Sequence, residues 1–169
     1  YWTGEEICTR EFSPGHLDRV TEALGRKPTL WDNYPVNDGP RMSRFLHLRA
    51  FTGRPSVITP HIAAHAINPA LQPQLSLIPA ASLAASYREG AGYCYMHALR
   101  TAARVLAGGE LAAMLELDLQ DLQDRGLDRL GDDRARLRQR YAAVEHPMAV
   151  EVVRWLDGTD TVDRWVEDA

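Results

Sequence analysis

The sequence is poor in the features that mark several whole classes of protein. Of its 169 residues only two are cysteine, Cys8 and Cys94. That is too few for a disulfide scaffold, and their separation is not that of a zinc site. The redox compartment is therefore left open. No apolar run approaches the roughly 18 residues that cross a membrane. A net charge of −4 offers no general basic face for nucleic acid. There is no internal repeat and no low-complexity tract. There is also no initiator Met and no visible leader, because the chain opens on "YWTG". Such a start is expected of a chain cut from a longer protein, so the missing leader says little about targeting. What remains is a globular balance, 45% hydrophobic and 25% charged, long enough to bury a sizeable core.

The first third has α/β punctuation. "YWTG" is a strand end stopped by Gly4. In "SPGHLDRVTEALG", Ser13 is the N-cap, Pro14 the first helical position and Gly25 the stop, with Leu17, Val20 and Leu24 on one face. "PTLWDN" follows as a short strand. Strand, helix, strand with short connections predicts a parallel βαβ unit. Two such strands cannot form a sheet covered on both faces, so more sheet is expected from elsewhere. A long connection then runs from Asp38 to Pro55, and "RFLHLRAF" within it is apolar enough to pack. "TPHIAAHAIN" is expected as a short helix capped by Thr59. "NPALQPQLSLIPAASLAAS" is expected as a longer helix with Leu71, Leu75 and Ile78 on one side, Pro73 in its first turn and a kink at Pro79. "YCYMHALRTAARVLAGG" ends in a glycine stop. "GELAAMLELDLQDLQDRG" carries a stripe of Leu111, Leu115, Leu119 and Leu122. "DDRARLRQRYAAV", "MAVEVVRWLDG" and "TVDRWVED" complete an antiparallel bundle.

One stretch has more polar groups than a turn requires. In "TLWDNYPVND" the residues Asp32, Asn33, Asn37 and Asp38 accompany Trp31, Tyr34 and Pro35, where a turn needs one or two such side chains. The segment follows the carboxyl end of an expected parallel strand, the place where α/β folds put ligands. The residue types suit a sugar: a carboxylate accepts from two hydroxyls, an amide both donates and accepts, and an indole offers a flat wall to C–H groups. A polar loop with a helix cap is the plainer alternative, and composition leaves both open.

"WTG", "LWDNYPVND", "TGR" and "INPALQPQLS", in this order and at about this spacing over residues 1–87, resemble glycoside hydrolase family 84. That family holds bacterial β-N-acetylglucosaminidases, some named hyaluronidases, and the O-GlcNAcases that remove GlcNAc from Ser and Thr. The resemblance implies the last strands and helices of a (β/α)8 TIM barrel over residues 1–83, followed by an α-helical bundle over 84–169. It implies that Trp31 lines the N-acetyl pocket, that Asn33 binds the sugar or its acetamido edge, that Asp38 holds the hydroxyls at positions 4 and 6, and that Asn68 reaches another ring hydroxyl. Trp2 would lie near the pocket floor. "LRA" at Leu48 to Ala50, where the family often has "LGP", and Gly39–Pro40 depart from the pattern along the loop path. The implied reaction is substrate-assisted and retaining, an exception to the two-carboxylate scheme. Its adjacent Asp pair lies after the fourth barrel strand, before "WTG", so no catalytic residue is expected within this chain.

Two motifs imitate chemistry. Asp132–Asp133 follows Gly131 and precedes a basic helix, which an N-cap and the helix dipole explain. His61 and His65 are spaced i, i+4 but lack the Glu of the metalloprotease motif and a third ligand. Helix surface or packing is the expected role, and no metal or cofactor is implied. The expected function is therefore part of a β-N-acetylglucosaminidase acting on a GlcNAc-containing glycan or glycoprotein. Its expected partner is the N-terminal part of the same enzyme, with no nucleic acid and no membrane. A non-catalytic GlcNAc-binding module and a helical protein-interaction domain are the alternatives.

Overall fold

Local signals are obeyed where they are strongest. In the computed structural model, which describes residues 4–6 and 8–162, the first helix is α1 (Pro14–Leu24). Ser13 is extended and its Oγ accepts from the His16 N–H at 3.4 Å, while Gly25 ends the helix at φ 67°. The left-handed turn there favours a residue without Cβ. Leu17 is wholly buried, but Leu24 is 51% exposed, so the inward face is shorter than its apolar spacing suggests. Residues 1–3 of the "YWTG" strand, with Trp2, and residues 163–169, with Trp165 and most of "TVDRWVED", lie outside the described residues.

The strand after α1 is β1 (Thr29–Asp32), and it pairs in parallel with β2 (Ala64–Ile67), Thr29 opposite Ala64 and Asp32 opposite Ile67. The second strand corrects the expected helix over "TPHIAAHAIN". That segment is a 3-10 helix, Ser56–His61, leading into β2. Extended backbone over residues 64–67 gives each residue a partner on β1, which an isolated single-turn helix could not match. The helix expected from Asn68 also starts later. Residues 68–76 form a turn-rich loop and α2 spans Leu77–Glu89. Pro79 therefore sits in the first turn, where its missing N–H costs nothing, and no kink is required of it.

The connection between the strands packs as expected. Leu46, Leu48 and Ala50 alternate inward, and the segment is tied to the bundle by Leu46 N–H to Leu122 O at 3.0 Å. The Gln123 side-chain oxygen accepts from both Leu48 and Arg49 N–H groups, at 2.8 and 2.9 Å. The helical segment α3 (Tyr95–Leu117) is broken at Gly108, whose φ of 78° and ψ of 166° are not helical. Arg100 and Glu116 pair at 2.5 Å, although 16 residues of unbroken helix would separate them by about 24 Å. The chain thus doubles back at the glycine pair, as the sequence pattern suggests. A π-helical turn, Asp121–Arg125, then leads to α4 (Asp133–Ala142) and α5 (Pro147–Leu156).

Two apolar clusters result. The larger joins Leu46, Leu48 and Ala50 to Leu75, Ile78 and the bundle, including Leu111, Leu115, Leu122, Tyr141 and Trp155. The leucine stripe is thus core. Trp155 is core as well: it is wholly buried and donates its indole N–H to Ser43 O at 3.0 Å. The smaller cluster holds Phe12, Leu17, Leu30 and Ile58, with Tyr87 against it. Since Ile78 belongs to one and Tyr87 packs on the other, α2 is the beam between the sheet and the bundle. The architecture is mainly helical with a small parallel sheet.

Candidate functional site

Strand alternation separates the polar residues of "LWDNYPVND" into two sets. On β1, Leu30 and Asp32 are buried while Thr29 and Trp31 point the other way. Trp31 is 43% exposed. By the two-residue period, Asn33, just past β1, and Asn68, just past β2, follow on the Trp31 side. They meet there: Asn68 Nδ2 donates to Asn33 Oδ1 at 3.3 Å, and the Asn68 backbone N–H donates to Asp32 O at 2.8 Å. Two side chains 35 positions apart thus adjoin at the carboxyl end of the parallel pair.

Asp32 faces inward and is structural. The Arg54 guanidinium grips both of its oxygens, Nε to Oδ2 at 2.7 Å and Nη2 to Oδ1 at 2.8 Å. His65 Nε2 lies 3.0 Å from Oδ2, and His65 Nδ1 lies 2.5 Å from the Tyr87 hydroxyl. Burial alone would raise the Asp32 pKa, but the Arg54 and His65 hydrogen bonds outweigh it and hold the carboxyl below its usual range. The same burial, with the negative charge of Asp32 nearby, pushes the Tyr87 phenol up to about 12. This network also settles the histidine motif. His65 is a buried strand residue and His61 pairs with Asp18 at 2.5 Å, so the two do not share a helical face. Among the described residues no group of three or more His, Cys, Asp or Glu is placed to hold a metal.

Asn37 is the second inward residue. It is wholly buried; Nδ2 donates to Phe45 O at 3.0 Å and to Gln72 Oε1 at 2.9 Å, and Oδ1 accepts from Leu71 N–H at 2.9 Å. Those bonds pin the loop bearing Asp38 against the loop that begins at Asn68. The second loop is held in turn by Glu151 of α5, which accepts from Gln74 and Leu75 N–H groups at 2.9 and 2.8 Å. Asp38 itself is exposed. Of the four expected sugar residues, then, Asn33 and Asn68 are hydrogen-bonded, Trp31 precedes Asn33 on the same face, and Asp38 stands on the loop clamped beside that of Asn68, with no hydrogen bond between the two.

A cleft of about 470 Å³ opens beside Asn33, lined by Tyr34, Arg49, Phe51, Arg54, Tyr95 and Gln123 among others. Trp31, Asp38 and Asn68 are not in its walls. Tyr34 is fixed there by donating to Arg49 O at 2.7 Å and by stacking on His47 at 5.8 Å. The bundle therefore contributes to the rim, through Tyr95 and Gln123. Sequence reasoning missed Arg54, Asn37 and Gln123. The "TGR" motif was the one available signal, because a buried arginine demands a carboxylate partner. The other imitative motif is explained mostly as expected: Asp133 lies in the first turn of α4 and pairs with Arg125 and Arg136 at 3.0 and 2.9 Å, while Asp132 makes no capping bond.

The family described as beta-N-acetylglucosaminidase matches residues 1–118. The chain belongs to that family, glycoside hydrolase family 84. Protein O-GlcNAcase of Rattus norvegicus and that of Mus musculus are each 25% identical to it over 87 residues, which is 52% of this chain. The chain spans only 9% of the length of these relatives. A mutant O-GlcNAc hydrolase of Thermobaculum terrenum superposes on 93% of the chain with a TM-score of 0.74 at 24% identity; the match covers 40% of that structure. CpGH84B superposes on 94% with a TM-score of 0.62 at 17% identity, covering 34% of its length. The structural likenesses establish a shared fold.

Proposed function

We propose that this family 84 chain forms part of a retaining β-N-acetylglucosaminidase of the O-GlcNAcase kind, which hydrolyses terminal β-linked GlcNAc by substrate-assisted catalysis. Residues 1–83 are the closing strands and helices of a (β/α)8 barrel and residues 84–169 its helical bundle. Trp31, Asn33, Asp38 and Asn68 hold the sugar, and the proton-transferring Asp pair is contributed by an upstream segment of the same enzyme. The observation that carries this reading is the Asn33–Asn68 hydrogen bond at the carboxyl ends of two parallel strands, the position where such folds bind ligand.

The chemistry of the groups fits a pyranose. The bond to Asn33 uses one N–H of Asn68 and leaves that amide a second N–H and its carbonyl oxygen for a hydroxyl. Asp38 is an exposed carboxylate able to accept from two hydroxyls at once. Trp31 presents an apolar, partly exposed ring on the face of the sheet opposite Leu30. In the substrate-assisted scheme the acetamido oxygen of the substrate attacks the anomeric carbon as the bond to the aglycone oxygen breaks and that oxygen takes a proton from the upstream acid; water, giving up a proton to the same group, then opens the resulting oxazoline. The residues of this chain then bind and orient the ring, and they take no proton.

The test is a titration with a thiazoline mimic of the GlcNAc oxazoline, followed by tryptophan fluorescence. Binding that is lost in Asp38→Ala supports the site. Hydrolysis of an aryl GlcNAc substrate is expected only when the upstream segment is supplied, and turnover by the 169-residue chain alone would place the acids within it. Binding without hydrolysis in the presence of that segment would mark a non-catalytic GlcNAc module. A protein that ignores the mimic both with and without it would end the sugar reading.

A further inference from the structure

We infer that Arg54 is the positioning residue of the sugar site: it locks the segment after the first expected strand to the ends of β1 and β2, so that Asn33 and Asn68 are held in register. The inference rests on the sugar-site reading above and extends it to a residue that touches no sugar. All five guanidinium N–H groups are spent. Besides the two bonds to Asp32, Nη2 donates to Thr9 O at 3.0 Å, and Nη1 donates to Arg10 O at 2.7 Å and Thr52 O at 3.2 Å. The side chain is 6% exposed and lies between Phe12 and Phe51, 4.8 and 5.8 Å from the ring centres. A planar fork with five fixed donors suits this junction, and a lysine ammonium does not.

The path from Arg54 to the ligand groups is short and covalent at its ends. Arg54 fixes Asp32, whose neighbour in sequence is Asn33 and whose carbonyl accepts from Asn68 N–H. Asp32 in turn holds His65, three residues before Asn68 on β2. Gly53 is what lets the fork reach its targets. Its φ is +69°, and a Cβ there would lie 1.9 Å from Arg10 O, the same carbonyl that Arg54 grips. The "TGR" motif thus encodes one device, a close backbone approach followed by a clamp.

The experiment uses the 169-residue chain, both alone and supplied with the upstream segment, and its Arg54→Lys variant, which keeps the charge and loses the fork. Affinity for the thiazoline mimic is measured at a temperature where circular dichroism shows every variant folded. Arg54→Lys is expected to weaken binding roughly 10- to 100-fold, about what the loss of one or two hydrogen bonds to the ligand does. Asn68→Ala is expected to weaken binding in the parent yet to add less than about threefold in the Arg54→Lys background, because the amide is already displaced. Multiplicative effects, or unchanged affinity in Arg54→Lys, would reduce Arg54 to a stabilising residue and overturn the inference. A second readout needs no ligand: the side-chain amide NMR signals of Asn33 and Asn68 should move toward free-amide positions in Arg54→Lys, and unshifted signals would refute the clamp even where the sugar reading holds. If the parent does not bind the mimic, the sugar reading fails and the amide signals alone decide the clamp. Asp32→Asn in the same cycle serves if Arg54→Lys does not fold.

Discussion

Replacing Asn37 by alanine should loosen the two loops that carry Asp38 and Asn68. Asn37 is wholly buried, and its amide serves Phe45 O, Gln72 Oε1 and Leu71 N–H. Asn37→Ala removes three hydrogen bonds, each with a net worth of about 1 kcal/mol, and a buried partner left unpaired costs about 1–3 kcal/mol. Gln72 is 1% exposed and has little access to water, whereas the exposed Leu71 segment can resolvate its N–H. With the bonds to Phe45 and Leu71 at their net worth and Gln72 at the full unpaired cost, the expected loss is about 3–5 kcal/mol. For a chain of this length that corresponds to roughly 6–20 °C in Tm. Urea unfolding followed by far-UV circular dichroism measures it, with an unchanged m-value confirming that stability alone moved. Asn37→Asp keeps an acceptor for Leu71 but sets a carboxylate against two oxygens, so it should be no milder. A loss below about 1 kcal/mol in Asn37→Ala would mean that the loops are held by other contacts, and the assignment of Asn37 as their tether would be wrong.

Three other outcomes follow from the same geometry. Asp32 has a folded pKa below its unfolded value of about 3.9, so its contribution is present above about pH 4 and is lost as pH falls through the folded value; Asp32→Asn should flatten that acid limb in a pH series of thermal melts. Gly53→Ala should abolish soluble folded protein, because its Cβ would sit 1.9 Å from a backbone oxygen, whereas Gly25→Ala, at φ 67° with open space around it, should cost only about 1 kcal/mol. Trp31→Ala removes a 43% exposed ring and should change stability by less than about 1 kcal/mol while eliminating most binding of the thiazoline mimic; a large drop in Tm would show the indole to be part of the core.

Some of this protein was legible residue by residue. Ser13, Pro14 and Gly25 bound α1 because a capping hydroxyl, a fixed φ and a left-handed glycine act on their immediate neighbours. The doubling back at Gly108 is visible for the same reason, as is the leucine stripe, whose spacing alone makes one apolar face. The "TLWDNYPVND" segment announced itself by composition, and Asn33 and Asn68 do converge. The strand Ala64–Ile67 was not legible. Four residues, two of them alanine, carry no β signal of their own, and two histidines four apart imitate a helical face. What makes them a strand is β1, 35 positions earlier in the chain.

Sequence by itself determined the two ends of α1 and the break at Gly108, which stripes are apolar, and that a polar cluster with family 84 spacing follows a short strand. Only the tertiary structure decided which members of that cluster look inward. Asp32 and Asn37 are indistinguishable from Asn33 and Asp38 by type, yet the first pair is consumed by Arg54, His65, Phe45, Leu71 and Gln72, while Asn33 is half-buried against Asn68 and Asp38 is exposed. Caps and periodicities are set by contacts within a few residues, whereas the role of a polar side chain is set by the partners that chain reversal brings to it, and a buried carboxylate or amide stays where the most distant of those partners can satisfy it.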